Sequence, residues 1–572
     1  SNLSFSSSDG GKTFTRQTFG AEALAQAWAQ DDTTDGFCAF HSGVKIILPQ
    51  DVSVDSFKAY ITSAWIRLRH QAPTIAIRSC LAPRTDFDFA ADFVYDVPMN
   101  LGDVEEWANE TIKFTEKKIT MSDRELSLYE TYWKPSANHY SHELVIGPDV
   151  EERKWHILFH ACHAAIDARG SIQLYELLLD YLTEYIIQGK PADAPVVALE
   201  WGKEVVRLPP AAVLAAVKAA GLEESKVMEI PVAPAQHLAQ PPHLLNQPQP
   251  HGDDYRSYVD RGGDNKCARS MSGTQLQLRV KQVLYLRPAS PLEPAPNHTV
   301  TTIDLTLTEA ETISVREACR AHGCSVTQFL VAVKALAEVE WSLTKSLEHE
   351  SLYKPMLKHY AESTHVASAS NIVDQRIRLG QYNSHKTSTY GSPGHSAEGF
   401  PLLISMDPIR KALKYDPLSS DSDKRIQRHV SKELFWHGVV KNVQESWQSE
   451  KIDLEAFIDR SIQCTATAKN FTTAVVESFM VPAICTSSIG DIDQLKICQA
   501  YSPINSKAAL GPRLLVDGFV FAARVPTPMK TIVSWQWNNR LTIRSISGAK
   551  YTSHTEMSAF NEKFKAWIVQ TC

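Results

Sequence analysis

The chain has 572 residues, 43% of them apolar, 22% charged and 9% aromatic, with a net charge of −7. That length exceeds what one hydrophobic core serves, so two domains of roughly 200–300 residues are expected. The charge contains no basic block and no Lys/Arg stripe interleaved with aromatics, which excludes a nucleic-acid footprint, and no run of about 18 apolar residues offers a membrane span. Ten cysteines stand without a C-x-x-C pair, which argues against a disulfide framework or zinc ribbon and fits a reducing, cytoplasmic compartment. The opening residues lack the apolar stretch of a secretory leader.

In chain order, "GVKIILP" reads as a strand. "DVSVDSFKAYITSAWIRLRHQAP" reads as a helix, with Phe57, Ile61, Ala64 and Trp65 at helical spacing and Pro73 closing it. "TIAIRSC" predicts a strand, "LGDVEEWANETIKF" an acidic-fronted helix, and "HELVIGP" and "KWHILFHA" two further strands. After Gly170, "SIQLYELLLDYLTEYIIQG" predicts an amphipathic helix with a Ser start and a Gly stop. Residues 226–297 are rich in Pro, Gln and His, and helices do not propagate through that many prolines, so this segment reads as a crossover or linker. It separates a domain over 1–225 from one over 298–572.

The second half opens with strand "TVTTIDLTL" and helix "TEAETISVREACRAHG". Helix "SVTQFLVAVKALAEVEWSL", capped by Ser325, and strand "ASNIVDQRIRL" come next. A Gly/Ser/His-rich loop at about 380–397 holds His385 and His395 and precedes "GFPLLISMD". Helices are expected around 424–448 and 452–464. The end carries "VPAICTSSIGDID", strand "RLLVDGFVFAARV", a hairpin "TIVSWQWNNRLTIRSIS" turning at Asn538-Asn539, and a last helix.

The chemistry concentrates in "WHILFHACHAAIDARGS", Trp155 to Ser171, with three histidines, a cysteine and an aspartate. A metal site is one reading, but a strand throws His160 and His163 to opposite faces. A Cys162–His163 nucleophile pair is another, but adjacent side chains on extended chain point apart. A general base at His163 and a satisfied core histidine both remain open, as does a plain helix cap at Asp167.

A strand leading into "HAAID", then "ARGS" and a helix, resembles the condensation-like acyltransferases. That superfamily has a His-x-x-x-Asp signature and includes plant BAHD acyltransferases, peptide-synthetase condensation domains and fungal alcohol acetyltransferases. His163 and Asp167 fit the signature. "NIVDQRIRL" resembles the family's Asn-x-Val-Asp-x-Arg strand, "TSSIGDID" its Ser-x-x-Gly strand end, and "TLTEAETISVREACRAHGCSVTQFLVAV" its post-crossover helix pair. "DARGS" and the Pro-rich insertion are most similar to the trichothecene 15-O-acetyltransferase branch. The chain departs in having Ala168 directly after the signature Asp, with glycine delayed to Gly170, and Cys162 where condensation domains double the His. The plant Asp-Phe-Gly-Trp-Gly motif is missing, with "LLVDGFVFAAR" at most a distant counterpart.

The resemblance implies an α/β fold of two chloramphenicol-acetyltransferase-like domains with mixed sheets and an active-site tunnel between them. It implies acyl transfer, most simply acetyl, from acyl-CoA as co-substrate to a hydroxyl of a polycyclic secondary metabolite, with no bound cofactor or metal, in a monomer. An imidazole titrates near ~6.5 and suits removal of a hydroxyl proton, which makes His163 the base. In relatives the signature aspartate pairs with the second-domain arginine, so Asp167 is a structural support paired with Arg376, or with Arg378 as fallback. Ser487, Ser488 and Gly490 are substrate-binding candidates near the oxyanion, and Cys162 is a spectator. A condensation-type enzyme using a carrier-bound thioester and a non-catalytic scaffold are the competing readings.

Overall fold

The structure, a computed structural model, describes residues 3–31, 36–37, 39–81, 91–189, 199–223, 283–284, 299–348, 350–376, 378–379, 394–450, 452–469, 471, 484–504 and 514–572. The first half runs β1 (Thr13–Gln17), α1 (Ala21–Gln30), β2 (Ala39–Ile47), α2 (Val54–Gln71), β3 (Arg78–Leu81), β4 (Ala91–Asp96), α3 (Leu101–Thr111), β5 (Ile112–Phe114), α4 (Met121–Glu130), β6 (His142–Pro148), β7 (Lys154–Cys162) and α5 (Ala168–Gln188). The rest runs α6 (Ala212–Ala219), β8 (Val283–Leu284), β9 (Val300–Thr306), α7 (Glu309–Ala321), α8 (Val326–Ser346), α9 (Tyr353–Glu362), β10 (His365–Asp374), β11 (Ala397–Ser405), β12 (Leu413–Tyr415), β13 (Ile426–Arg428), α10 (Leu454–Lys469), β14 (Ile484–Asp491), β15 (Leu515–Ala523), β16 (Lys530–Trp537), β17 (Arg540–Gly548) and α11 (His554–Thr571).

Local chemistry sets the boundaries. Ser53 caps α2 by accepting the Ser56 N–H, one of the amides a helix start leaves bare. Thr308 and Ser325 each form a full capping box at α7 and α8. Pro73 sits at N1 of a 3-10 turn over Pro73–Ala76, so the strand expected from Thr74 begins only at Arg78. The helix expected to start at Ser171 starts three residues earlier, because Asp167 is its cap and accepts the Gly170 N–H; Gly189 in the left-handed region ends it. Asn538 and Asn539, with φ of 51° and 59°, make the tight turn between β16 and β17.

Two mixed sheets result. The first-half sheet has the order β15-β2-β7-β6-β5, antiparallel except for β5 with β6. The second has the order β11-β10-β14-β16-β17-β9, with β8 off β10 and parallel pairing on both sides of β14. Smaller sheets join β1-β4-β3 and β12-β13. The crossover at 226–297 lies outside the described residues apart from β8, and the strand that completes the first-half sheet, β15, comes from the far end of the chain. α10 likewise packs on α1 and α6.

The cores follow the same exchange. One apolar cluster combines Phe57, Trp65, Phe159 and Leu178 of the first half with Ile489, Phe519 and Trp535 of the second; another lies wholly in the second half around α8 and α11, and a smaller one joins α6 to α10. On α5, Ile172, Leu178, Leu179 and Leu182 are fully buried, each contributing ~1.5–3 kcal/mol. The Tyr175 hydroxyl on the same helix donates to Ser42 O at 2.6 Å and accepts from Phe159 N at 3.0 Å. It thereby braces β2 against β7, the strand that delivers the histidine cluster. Among the described residues no helix is long and apolar enough to cross a membrane.

Candidate active site

β7 pairs with β2 through Ala39 and Cys162, and the chain then turns, with Ala165 N–H donating to Cys162 O at 2.9 Å. His163 stands on this turn, just past the strand. Its ring lies between the halves, 5.0 Å from the Phe40 ring of β2 and 5.3 Å from the His395 ring, centroid to centroid. His163 Nδ1 meets the Ile166 carbonyl at 2.9 Å. A carbonyl only accepts, so Nδ1 carries the hydrogen, and in the neutral ring Nε2 is the nitrogen with the lone pair.

The other members of the cluster point elsewhere. His160 is buried within the first half, edge-on to Trp133 at 4.4 Å, and burial, then the neighbouring His41, His139 and Arg524, hold its pKa well below the ordinary value. Cys162 is buried as well; burial pushes its thiol up to about 11 against the pull of the Ala164 and Ala165 amides. A protonated, enclosed thiol is a poor nucleophile. His160, Cys162 and Trp133 line a cavity of about 10 Å³, the room one water needs. Among the described residues no group of three or more His, Cys, Asp or Glu is placed to hold a metal ion.

Asp167 is the junction of the two halves. Its Oδ1 accepts from Gly170 N at 2.9 Å and from Arg376 Nη2 at 2.8 Å, and its Oδ2 accepts from Ser396 N at 2.8 Å. Burial alone would raise its pKa; Arg376, then His395 and the Gly170 amide, hold it below the usual carboxylate range instead. Arg376 stands just past the end of β10 and also donates to Asp374 Oδ1 at 2.9 Å and to Gly394 O at 2.5 Å. Burial works against its charge, and Asp167 with Asp374 more than restores it. Arg378 goes to Gln375 Oε1 and not to Asp167. The carboxylate thus ties β10's end to α5, and the imidazole is oriented by a backbone carbonyl, which differs from the Asp-to-His contact of a Ser-His-Asp triad.

The delayed glycine has a steric cause. A Cβ on Gly170 would stand 3.1 Å from Ile166 Cδ1 and 3.2 Å from both Arg376 Nη2 and Gly394 O. A side chain at position 170 would crowd the guanidinium and the Gly394 carbonyl, which fits the small residue there.

Ser487, Ser488 and Gly490 end β14, where pairing with β16 shifts register between Ser488 and Gly490. Ser488 Oγ accepts from Thr327 Oγ1 of α8 at 3.0 Å, a bond that does not use its own hydroxyl hydrogen. Gly490 has φ +95°, and a Cβ there would meet Arg169 Nη2 at 2.7 Å. Since Arg169 follows Asp167 by two residues, this strand end faces the same turn from the second half. His395 is the neighbour that the His-x-x-x-Asp pattern did not contain. The approach of its ring to His163 is a matter of tertiary packing; His385 lies outside the described residues.

The architecture, two α/β halves with a His-x-x-x-Asp turn where they meet, is the condensation-domain fold. Among solved structures the chain is similar to the TRI3 trichothecene 15-O-acetyltransferase from Fusarium sporotrichioides, with TM-score 0.68 and 15% identity over 99% of this chain and 97% of that one. It is also similar to the condensation domain of the monacolin K polyketide synthase MokA, with TM-score 0.51 and 11% identity over 99% and 97% of the two chains. The first condensation domain of the CDA synthetase follows, with TM-score 0.50 and 12% identity over 96% and 94%. No protein-family model and no curated protein sequence matches the chain. The resemblance read from the motifs therefore holds at the level of the fold.

Proposed function

We propose that the chain is an acyltransferase that moves an acyl group, most simply acetyl, from acyl-CoA to one hydroxyl of a polycyclic secondary metabolite such as a trichothecene-like terpenoid. The observation that carries the reading is the setting of His163: its Nδ1 is tied to Ile166 O and its ring stands between Phe40 and His395, where Nε2 of the neutral ring serves as the base. The acceptor O–H gives its proton to Nε2 as the oxygen attacks the thioester carbon. The tetrahedral oxyanion is met by donors at the β14 end, with the Ser488 hydroxyl the leading one and Ser487 and the Gly490 backbone beside it; a well-aimed donor contributes roughly 3–4 kcal/mol. Collapse breaks the C–S bond, and the imidazolium returns the proton to the thiolate, so no acyl-enzyme forms. Likeness to TRI3 in fold supports the small acyl donor and the rigid alcohol. Both halves contribute to one site, which fits a monomer acting on two small molecules in the cytoplasm, where acyl-CoA is found.

The test is incubation with acetyl-CoA and a panel of hydroxylated terpenoids and polyketides, read by mass spectrometry for gain of one acetyl group. Transfer that needs an acyl group on a carrier protein and ignores free acetyl-CoA would instead mark a condensation-type enzyme. Absence of both CoA binding and transfer would mark a scaffold.

A further inference from the structure

Two histidines, one from each half, face each other across the junction. The rings of His163 and His395 are 5.3 Å apart between centroids and inclined at 58°. The position of His395 is set by its neighbours more than by its own side chain. Gly394 before it accepts from Arg376 Nη2 at 2.5 Å, and Ser396 after it donates to Asp167 Oδ2 at 2.8 Å. Both bonds end on the one buried ion pair that also caps the helix following His163. The ion pair therefore sets the backbone behind both rings at once.

The gap between the rings suits a single oxygen. An oxygen hydrogen-bonded at ~2.8 Å to one nitrogen of each ring, at a tetrahedral angle, holds those nitrogens about 4.6 Å apart. Rings with centroids 5.3 Å apart can present nitrogens at that spacing. The titratable and charged groups around His395 are His163, Asp167 and Arg376; burial first, then His163, outweigh the pull of Asp167 and lower its pKa to about 4. At neutral pH it is therefore an uncharged ring with one N–H to donate.

We propose that His395 is the acceptor-binding histidine of this site: its N–H donates to the oxygen of a substrate hydroxyl whose hydrogen is directed at Nε2 of His163. In the transfer step the O–H bond breaks, the proton goes to His163, and an oxygen lone pair forms the new bond to the acyl carbon. The C–S bond then breaks, the thiolate takes the proton from His163, and His395 ends unchanged. His395, an uncharged ring whose pKa burial lowers to about 4, acts only as the hydrogen-bond donor. The proposal rests on the acyl-transfer reading for the reaction but not for the binding of an alcohol.

The test uses the full chain labelled with ¹³C at the histidine rings, with trans-2-decalol as probe, a compact bicyclic secondary alcohol, and decalin as its hydroxyl-free control. Decalol is expected to shift the ring signals of both His163 and His395, and decalin neither. His395→Leu should weaken the decalol response of His163 at least about tenfold, and His395→Gln, which keeps an N–H donor, should restore most of it. The Gly394 and Ser396 bonds are backbone bonds, so both variants keep the loop's anchors, and unchanged urea midpoints verify this. Decalol that shifts neither ring, or shifts His163 equally in wild type and His395→Leu, overturns the assignment. In turnover, His395→Leu should lower kcat/KM for the alcohol about ten- to a hundredfold with KM for acetyl-CoA unchanged. Full alcohol turnover in that variant also overturns it. Two-ring binding without any transfer would overturn the acyltransferase reading alone.

Discussion

Asp167 and Arg376 should be strongly coupled, and the coupling can be worked out from their partners. Asp167→Ala removes a carboxylate that accepts Gly170 N, Ser396 N and Arg376 Nη2, leaving Arg376, 3% exposed, with Asp374 as its remaining carboxylate. Breaking a buried ion pair from one side costs about 3–5 kcal/mol. Loss of the helix cap costs about 1 kcal/mol more. Asp167→Asn keeps a cap acceptor and should cost about 3 kcal/mol. Arg376→Met should cost a similar amount, because it leaves the buried carboxylate to two amide donors. Asp167→Asn with Arg376→Met removes both charges and should cost about 2–3 kcal/mol less than the sum of the two. The assay is urea unfolding followed by tryptophan fluorescence and far-UV circular dichroism, analysed for stability only where the two transitions coincide. A coupling energy below about 0.5 kcal/mol would show that the pair does not act as a unit and would refute the reasoning. The sign with pH is also fixed. A carboxylate whose folded pKa is depressed adds stability above its unfolded pKa and loses it as pH falls. Wild type and Asp167→Asn should therefore converge in acid.

His163→Ala should abolish turnover while leaving the unfolding free energy within about 0.5 kcal/mol of wild type, as its ring is only partly buried; His160→Ala should do the reverse, lowering stability and sparing much of the activity. Initial-rate kinetics should give the intersecting lines of a ternary complex, with no acyl group on the protein after acetyl-CoA alone; an acylated Cys162 in intact-mass spectra would contradict this. His142 is fully buried and burial lowers its pKa from 6.5 to about 3, so the unfolded chain takes up its proton first. Stability should fall as pH drops from about 6.5 toward 3, by up to about 1.4 kcal/mol per pH unit from this group, and a His142→Gln variant should titrate with a shallower slope.

The readable part of the sequence was the part whose cause is local. The Ser325 cap and the Asn538-Asn539 turn are written in neighbouring residues, and the structure has them where expected; the caps at Ser53 and Thr308 are equally local. Asp167 was legible twice, as a cap and through family resemblance as the partner of Arg376, and it holds both positions. The helix start at Ser171 failed because Asp167, four residues earlier, is an equally good cap with an ion pair behind it. The front of the strand over "TIAIRSC" failed because Pro73 at N1 favours a turn that its β-branched followers do not override, and only Arg78–Cys80 of it is strand. Buried Arg544, paired with buried Glu125 of the other half and with the exposed Asp304, and His395 against His163 had no local signal at all. Their partners are hundreds of residues apart, and no spacing rule connects them.

Strand β15 carries a consequence for how the molecule is made. During synthesis β2 emerges early and its open edge, "AFHSGVKII", waits for residues 515–523 to pair with it. At ~5–20 residues per second the wait is roughly half a minute to a minute and a half. Through that interval a half-built sheet presents unpaired N–H and C=O groups on an apolar strand, the geometry that invites pairing with other nascent chains. The sheet of the amino-terminal half therefore keeps an open edge at β2 until residues 515–523 have been made. A ribosome stalled in the Pro-rich crossover would strand a fragment with no means of closing its own edge.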